Sequence, residues 1–191
     1  MQLGFLKFLK GTDIYYKKDD FEYEYLGYPP YEVLKNSFIS YDEISYLKKF
    51  ETVFENLYNS KKFTESIKYI ESKFSGYYEM YEYITNYFIE NKLLDRKISY
   101  DEIYECLLKI FNYDAILVQT LTFDYANNFK GSRDWMYNKY DLKEEILKYV
   151  NKNIEFSNLT LNEILKKYKF IVLDYNIKNN CSEKTIYKFN K

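Results

Sequence analysis

The sequence has no histidine and is poor in cysteine, glycine and proline. The missing histidine removes the side chain that most often acts as an acid or base near neutral pH. The two cysteines, Cys106 and Cys181, lie far apart and form neither a Cys-x-x-Cys zinc pattern nor a Cys-x-x-x-Cys-x-x-Cys iron–sulfur pattern. The five glycines are scattered, so there is no glycine-rich phosphate loop. The residues themselves therefore predict no catalytic, metal-binding or cofactor-binding side chain in this chain.

The chain also lacks an excess of charge of either sign and a long apolar run. Lys and Arg number 28 and Asp and Glu number 29, and the two signs are mixed along the sequence. Mixed charge argues against nucleic acid or a membrane surface as a partner. No apolar run approaches the roughly 18 residues of a membrane-spanning helix, and low cysteine usage is typical of a reducing compartment. We expect a cytoplasmic protein.

Aromatic residues, by contrast, are abundant, with 25 Tyr and 15 Phe. One interpretation is a surface on which nucleotide bases stack. The other is that tyrosine replaces leucine or phenylalanine at half-buried positions, because its ring is apolar and its tip is polar. The accompanying wealth of Lys, Asn and Ile suggests an AT-rich coding bias and favours the second interpretation.

Residues 2–10 predict a short buried strand that begins without a cap or a lead-in and ends at Gly11. We expect it to be the last strand of a larger domain. Residues 11–38 follow as an irregular connector, in which Pro29-Pro30 favours an extended path. A strand separated from its sheet must find another partner for its backbone, so we expect it to pair with the C-terminal hairpin or with a symmetry-related copy.

Helices dominate the remainder. Three segments begin with a capping box, in which a Ser or Thr caps the first turn and a Glu three residues later bonds back. These pairs are Ser40 with Glu43, Ser99 with Glu102, and Thr160 with Glu163. The hexapeptide ISYDEI occurs twice, at 39–44 and 98–103; repeated use of a good helix start is preferred to an internal duplication, because the sequences diverge immediately afterwards.

The predicted fold is mainly α, a helical bundle or hairpin array with a short N-terminal strand and a C-terminal β-hairpin. The apolar segment 114–129 is the candidate central helix, although a strand is the alternative there. The segments FIVLDY and TIYKF predict the hairpin. We expect two parts, a strand with its connector at 1–38 and a helical domain at 39–191. The predicted helices cover about 41–58, 64–74, 77–91, 100–111, 114–129, 142–152 and 161–168.

Two places are candidate substrate or interface sites. Lys7 and Lys10 stand at the end of the predicted strand, and strand ends face the active site in barrel folds; the alternative is solvent-facing lysines. The second place holds Asp124, Arg133 and Trp135 around one loop, where an Arg can clamp an acidic partner. The alternative there is a Trp anchor with a local ion pair.

A family resemblance covers most of the chain and is strongest over residues 2–75. QLGFLKFLKGT, PPYEVL with SFISYDEISYLKKFE, and VFENLYNSKKFTESIKYIESKF together resemble the C-terminal region of cobalamin-binding radical SAM proteins, a domain of unknown function that follows the radical SAM barrel. FDYANNFKGSRDW resembles an Asp-Tyr element and a basic loop of the same family. The stretch beyond about residue 150 matches least.

The resemblance implies that residues 2–12 are the final barrel strand and its exit. It implies that the rest is a helical cap that closes the barrel or shapes the substrate pocket. The parent enzyme would use a [4Fe–4S] cluster, S-adenosylmethionine and cobalamin, all bound by upstream domains, which would be the partners of this chain. No catalytic residue carries over. The alternatives are a free-standing helical protein-interaction module and, less favoured, an independent enzyme using Asp, Glu and Tyr.

Overall fold

The computed structural model describes residues 4–191 and divides into two compact units. One unit contains the residues up to Asn59 together with Tyr81–Lys97, and the other contains Ser60–Met80 with Ile98–Lys191. Residues 2 and 3 of the predicted N-terminal strand lie outside the described residues.

The fold is mainly α with a minor β component, as predicted. The α-helices found among residues 4–191 are α1 Asp13–Tyr16, α2 Tyr41–Phe54, α3 Thr64–Glu71, α4 Tyr77–Glu90, α5 Tyr100–Ile110, α6 Ala115–Asn128, α7 Leu142–Lys152 and α8 Leu161–Lys167. The strands are β1 Glu24–Tyr25, β2 Val33–Lys35, β3 Tyr168–Leu173 and β4 Thr185–Asn190. No helix in this part of the chain is long and apolar enough to cross a membrane.

The three predicted capping boxes are present at the starts of α2, α5 and α8. In each, the Glu amide donates to the Ser or Thr hydroxyl while the Glu carboxylate accepts from the capping residue. These contacts satisfy helix-end N–H groups locally, which is why they could be predicted from sequence.

In the first unit, the N-terminal segment pairs with the connector and not with the C-terminal hairpin. Lys7 lies opposite Glu32 in an antiparallel bridge, and β2 pairs on its other side with β1. The expected pairing with the hairpin is therefore wrong. The physical reason is the burial of Phe8, which is only 2% exposed and whose ring stacks at 4.5 Å on the ring of Tyr25.

The connector is also more regular than expected. It contains α1, a 3-10 turn at Asp19–Phe21 and the β1–β2 hairpin. Pro29-Pro30 does not extend the chain but lies in the turn between the strands, where the Tyr31 amide donates to the Tyr28 carbonyl at 2.8 Å. Proline suits a turn because its φ angle is fixed and it needs no backbone donor.

The second unit is built around α6. Leu117 and Leu121 on this helix have no exposed surface, and Asp114 caps its start by accepting from two amides of the first turn. The helical prediction for this segment is confirmed and its strand alternative is excluded. The β3–β4 hairpin, with Tyr168 opposite Asn190 and Leu173 opposite Thr185, packs a second apolar cluster against α7 and α8.

Candidate functional site

In place of the predicted strand, the N-terminal segment of the first unit has a single antiparallel bridge at Lys7, and one side of its backbone is left open. The Phe8 amide donates to the Tyr31 carbonyl at 2.6 Å, and the Val33 amide donates to the Leu6 carbonyl at 2.9 Å. Because alternate residues of a strand direct their backbone groups to opposite sides, the N–H and C=O of Lys7 face away from β2. Within residues 4–191, no group bonds to either of them.

Lys10 stands beside a cavity of about 280 Å³ in this same unit. The cavity is lined by Phe8, Leu9, Lys10, Tyr15, Tyr25, Gly27 and Tyr31. Lys7 does not line it. The two lysines therefore lie in different surroundings: Lys7 lies at the open side of the bridge, and Lys10 lines a cavity with aromatic walls. A role for either in binding stays a prediction.

Asp124 lies in the second unit, buried in α6, and caps the start of α3. Its carboxylate accepts the backbone N–H of Ser66 at 2.8 Å, the Ser66 hydroxyl at 2.7 Å, and the Glu65 N–H at 3.1 Å. Burial raises the pKa of Asp124 to about 7, although the three donors favour the charged form. These donors connect α6 to the start of α3, and a role for Asp124 in binding a substrate or partner stays a prediction.

Arg133 and Trp135 lie on one side of an aromatic cluster in the second unit. Arg133 Nη2 donates to Asp101 Oδ2 at 2.6 Å, and its guanidinium lies 5.1 Å from the centre of the Tyr125 ring. The Trp135 ring stacks on Tyr104 with 5.5 Å between ring centres. The bond from Arg133 lowers the pKa of Asp101.

The sequence-based choice of residues missed Asp101 and Tyr104. Asp101 lies in the first turn of α5, where a carboxylate is favourable in any helix, so its position in the sequence indicates no further role. In the structure it also accepts the Tyr125 hydroxyl at 2.9 Å, so it joins the predicted loop to α6. Tyr104 donates to the Lys62 carbonyl at 2.6 Å. The apolar spacing of α5 predicts that Tyr104 lies on a helix. It does not predict the bond to the Lys62 carbonyl.

Asp174, after β3, is a second missed carboxylate. It accepts from the hydroxyls of Tyr137 and Tyr140 and from Lys139 Nζ at 2.9 Å. The Tyr137 bond above all, with those of Tyr140 and Lys139, lowers the pKa of Asp174 to about 2. The sequence signal for this site was the position of Asp174, directly after the apolar run of β3 in FIVLDY.

The two cysteines of this chain do not form the set of thiolates that holds an iron–sulfur cluster. An iron–sulfur cluster needs several thiolates, whereas Cys106 is buried in α5 and Cys181 lies in the exposed hairpin loop. Among residues 4–191, no group of three or more Cys, Asp or Glu side chains could hold a metal ion. The residues of this chain therefore do not fit the cluster.

Comparison with known proteins gives a family but no activity. No curated protein and no solved structure matches the chain. One family model, described as a protein of unknown function (DUF4080), matches residues 19–190 and therefore most of the sequence, both units included. The chain belongs to the DUF4080 family of proteins of unknown function.

Proposed function

We propose that this chain is a non-catalytic accessory domain of a cobalamin-binding radical SAM enzyme. In this proposal the strand at residues 5–9 forms the contact with the upstream radical SAM domain, and the helical part caps the barrel or shapes access to the substrate. The [4Fe–4S] cluster, S-adenosylmethionine and cobalamin are held by the upstream domains, since the donors of this chain do not fit the cluster.

The open strand edge is the observation that carries the proposal. An edge with unpaired N–H and C=O groups is a template for pairing with another chain or domain, and soluble proteins usually cover or charge it. Here Lys7 offers both backbone groups, and the neighbouring side chains of Leu6 and Leu9 are 44% and 49% exposed. A strand that continues into a larger sheet would bury these leucines and satisfy those backbone groups.

The motifs of the N-terminal segment support the same partner. The stretch QLGFLKFLKGT and the connector PPYEVL resemble the segment that follows the radical SAM barrel, and in this structure they pair with each other through Phe8 and Val33. The N-terminal segment and the connector thus pair at a single bridge, and among the described residues the other side of the Lys7 backbone is open to a partner. Lys10 lines an aromatic cavity in the same unit, and in this proposal its side chain influences substrate access.

A sequencing test comes first because it identifies the parent. The DNA upstream of the Met1 codon is sequenced and translated in the same frame. The genes next to it are sequenced as well. We expect a coding segment with a Cys-x-x-x-Cys-x-x-Cys motif. A stop codon directly before Met1, with no neighbouring gene that encodes this motif, contradicts the proposal.

A binding test then addresses the strand edge. The upstream radical SAM portion is mixed with this chain, and association is measured by analytical ultracentrifugation. We expect Leu6→Asp and Leu9→Asp to weaken association, because each places a charge in the buried contact. The matched control is Leu142→Asp on α7, since Leu142 is 41% exposed and receives the same change.

The alternative of a protein-interaction module predicts a different result. A chain that binds an unrelated protein, and does not associate with the radical SAM portion, supports that alternative. Equal weakening by Leu142→Asp and by the two strand variants argues against a contact at residues 5–9 in particular.

A further inference from the structure

A cavity of about 350 Å³ lies in the second unit, where the C-terminal end of α6 meets the start of β3 and the end of β4. Its size is in the range of pockets that bind small molecules. It is lined by Ala126, Asn127, Asn128, Phe129, Lys130, Gly131, Lys169, Asn190 and Lys191. This lining contains lysines and asparagines but neither Asp nor Glu side chains.

Two of the lysines that line this cavity have no carboxylate side chain as a partner. Among residues 4–191, neither Lys130 nor Lys169 has an Asp or Glu oxygen within 4.0 Å. Lys62 adds a further positive charge nearby, since its Nζ lies 5.1 Å from the centre of the Phe129 ring. Two lysine ammonium groups without a carboxylate side-chain partner beside one cavity favour an anionic ligand.

Lys169 is held in place on β3. Its Nζ donates to the Gly131 carbonyl at 2.7 Å and to the Phe129 carbonyl at 3.4 Å. An ammonium has three donors, so one remains for a ligand. Burial lowers the pKa of Lys169, and the nearby Lys191 lowers it further. A bound anion would offset this cost of burying a positive charge.

The loop that carries Lys130 also lines this cavity. Gly131 has a φ of +88°, a backbone conformation that glycine adopts without penalty. The two bonds from Lys169 fix the carbonyls on either side of Lys130. Lys130 itself is exposed and makes no hydrogen bond within the described part of the chain.

We propose that this cavity binds a phosphorylated small molecule, whose phosphate is held by Lys130 and Lys169. Lysine ammonium groups are common phosphate ligands because they act as compact point charges. The inference does not rest on the accessory-domain proposal, because every residue of the cavity lies in the second unit.

The test is a titration of the full chain with pyrophosphate, followed by ¹⁵N-resolved NMR at constant ionic strength. Constant ionic strength is needed because salt screens exposed charges. We expect saturable shifts at the amides of residues 127–131 and of Asn190. Shifts that do not saturate, or that spread over lysines throughout the chain, overturn the proposal. Citrate that binds as tightly as pyrophosphate also overturns it, because the site would then not be selective for phosphate.

Matched variants separate binding from a structural role of Lys169. We expect Lys130→Gln and Lys169→Gln each to weaken pyrophosphate binding about tenfold, the usual scale for one charge-assisted hydrogen bond. Lys143→Gln on α7 removes the same charge from an exposed lysine outside the cavity and leaves the affinity unchanged. If Lys169→Gln weakens binding while Lys130→Gln does not, Lys169 acts only to fix the loop and the proposal fails.

Discussion

The Asp124 carboxylate on α6 accepts both the backbone N–H and the hydroxyl of Ser66, at 2.8 and 2.7 Å. Both residues are buried, and 58 residues separate them in the sequence. A helix start normally takes its cap from the residue just before it. Here Phe63 stands at that position and provides no side-chain cap, so α6 supplies the cap of α3.

Ser66→Ala tests this contact. We expect the free energy of unfolding to fall by about 1–2 kcal/mol, because the buried carboxylate loses a donor. Urea titration measures the change. The matched control is Ser72→Ala at the other end of α3, where the hydroxyl is exposed and donates to the Tyr69 carbonyl; its effect should stay within about 0.5 kcal/mol. Equal losses from the two variants contradict the account.

Asp124→Asn tests the raised pKa of Asp124. Burial raises this pKa to about 7, above the value of about 3.9 of an unfolded chain. The folded state therefore holds the proton more tightly, and the contribution of Asp124 to stability falls as the pH rises from about 4 to about 7. The variant keeps an oxygen acceptor but does not titrate.

Relative to the wild type, the Asp124→Asn variant should thus gain stability across that pH window, by about 1.4 kcal/mol for each unit of pKa difference. Urea titrations at several pH values between 4 and 8 measure the gain. A stability difference that is independent of pH shows that the carboxyl of Asp124 does not titrate in this window.

Tyr104→Phe tests the contact between α5 and the Lys62 carbonyl. The Tyr104 hydroxyl donates to that carbonyl at 2.6 Å, and Asn128 Nδ2 reaches it only at 3.4 Å. Removing the hydroxyl should lower the free energy of unfolding by about 1–2 kcal/mol. Unfolding can be followed through the fluorescence of Trp135, the single Trp of the chain, which stacks on Tyr104.

The control for this prediction is Tyr113→Phe, because Tyr113 is exposed. It should change stability by less than about 0.5 kcal/mol. A Tyr104→Phe variant as stable as Tyr113→Phe is incompatible with a buried hydrogen bond to Lys62.

Asp174→Asn tests the acid sensitivity of the region after β3. The bonds from Tyr137, Tyr140 and Lys139 lower the pKa of Asp174 to about 2. Its stabilising contribution is present above about pH 3.9 and is lost as the pH falls toward 2, because protonation removes the charged acceptor. The variant should lose stability less steeply than the wild type between pH 4 and 2, as measured by urea titration. Asp134→Asn, an exposed Asp in the preceding loop, should follow the wild-type slope.

The sequence predicts those features of the fold that depend on contacts between residues close together in the chain. The capping boxes at Ser40, Ser99 and Thr160 act within one helical turn, and the hairpin β3–β4 is defined by apolar strands around a polar loop. Contacts between residues far apart in the sequence could not be predicted in this way. Nothing in the N-terminal strand distinguishes Glu32 from the C-terminal hairpin as its neighbour; the packing of Phe8 against the tyrosines of the connector makes that choice.

The candidate site residues could likewise be chosen from the local sequence, whereas their partners are visible only in the structure. Arg133 and Trp135 could be chosen because an Arg and the single Trp share one loop, yet the partner Asp101 lies 32 residues earlier, on α5. Asp124 could be chosen for its loop neighbours, but its main partner is Ser66 on α3. The predicted grouping of Asp124 with Arg133 and Trp135 rests on nearness in sequence, whereas their hydrogen bonds go to different helices.

In the proposed enzyme, an upstream radical SAM domain covers the open side of the segment at residues 5–9. Amide hydrogen exchange at Phe5, Lys7 and Leu9, measured by NMR with and without that domain, tests it most directly. The Phe8 amide serves as the internal reference, because it already donates to the Tyr31 carbonyl. We expect the upstream domain to slow exchange at Lys7 and its outward-facing neighbours and to leave Phe8 little changed. Equally fast exchange at Lys7 in both samples contradicts the claim.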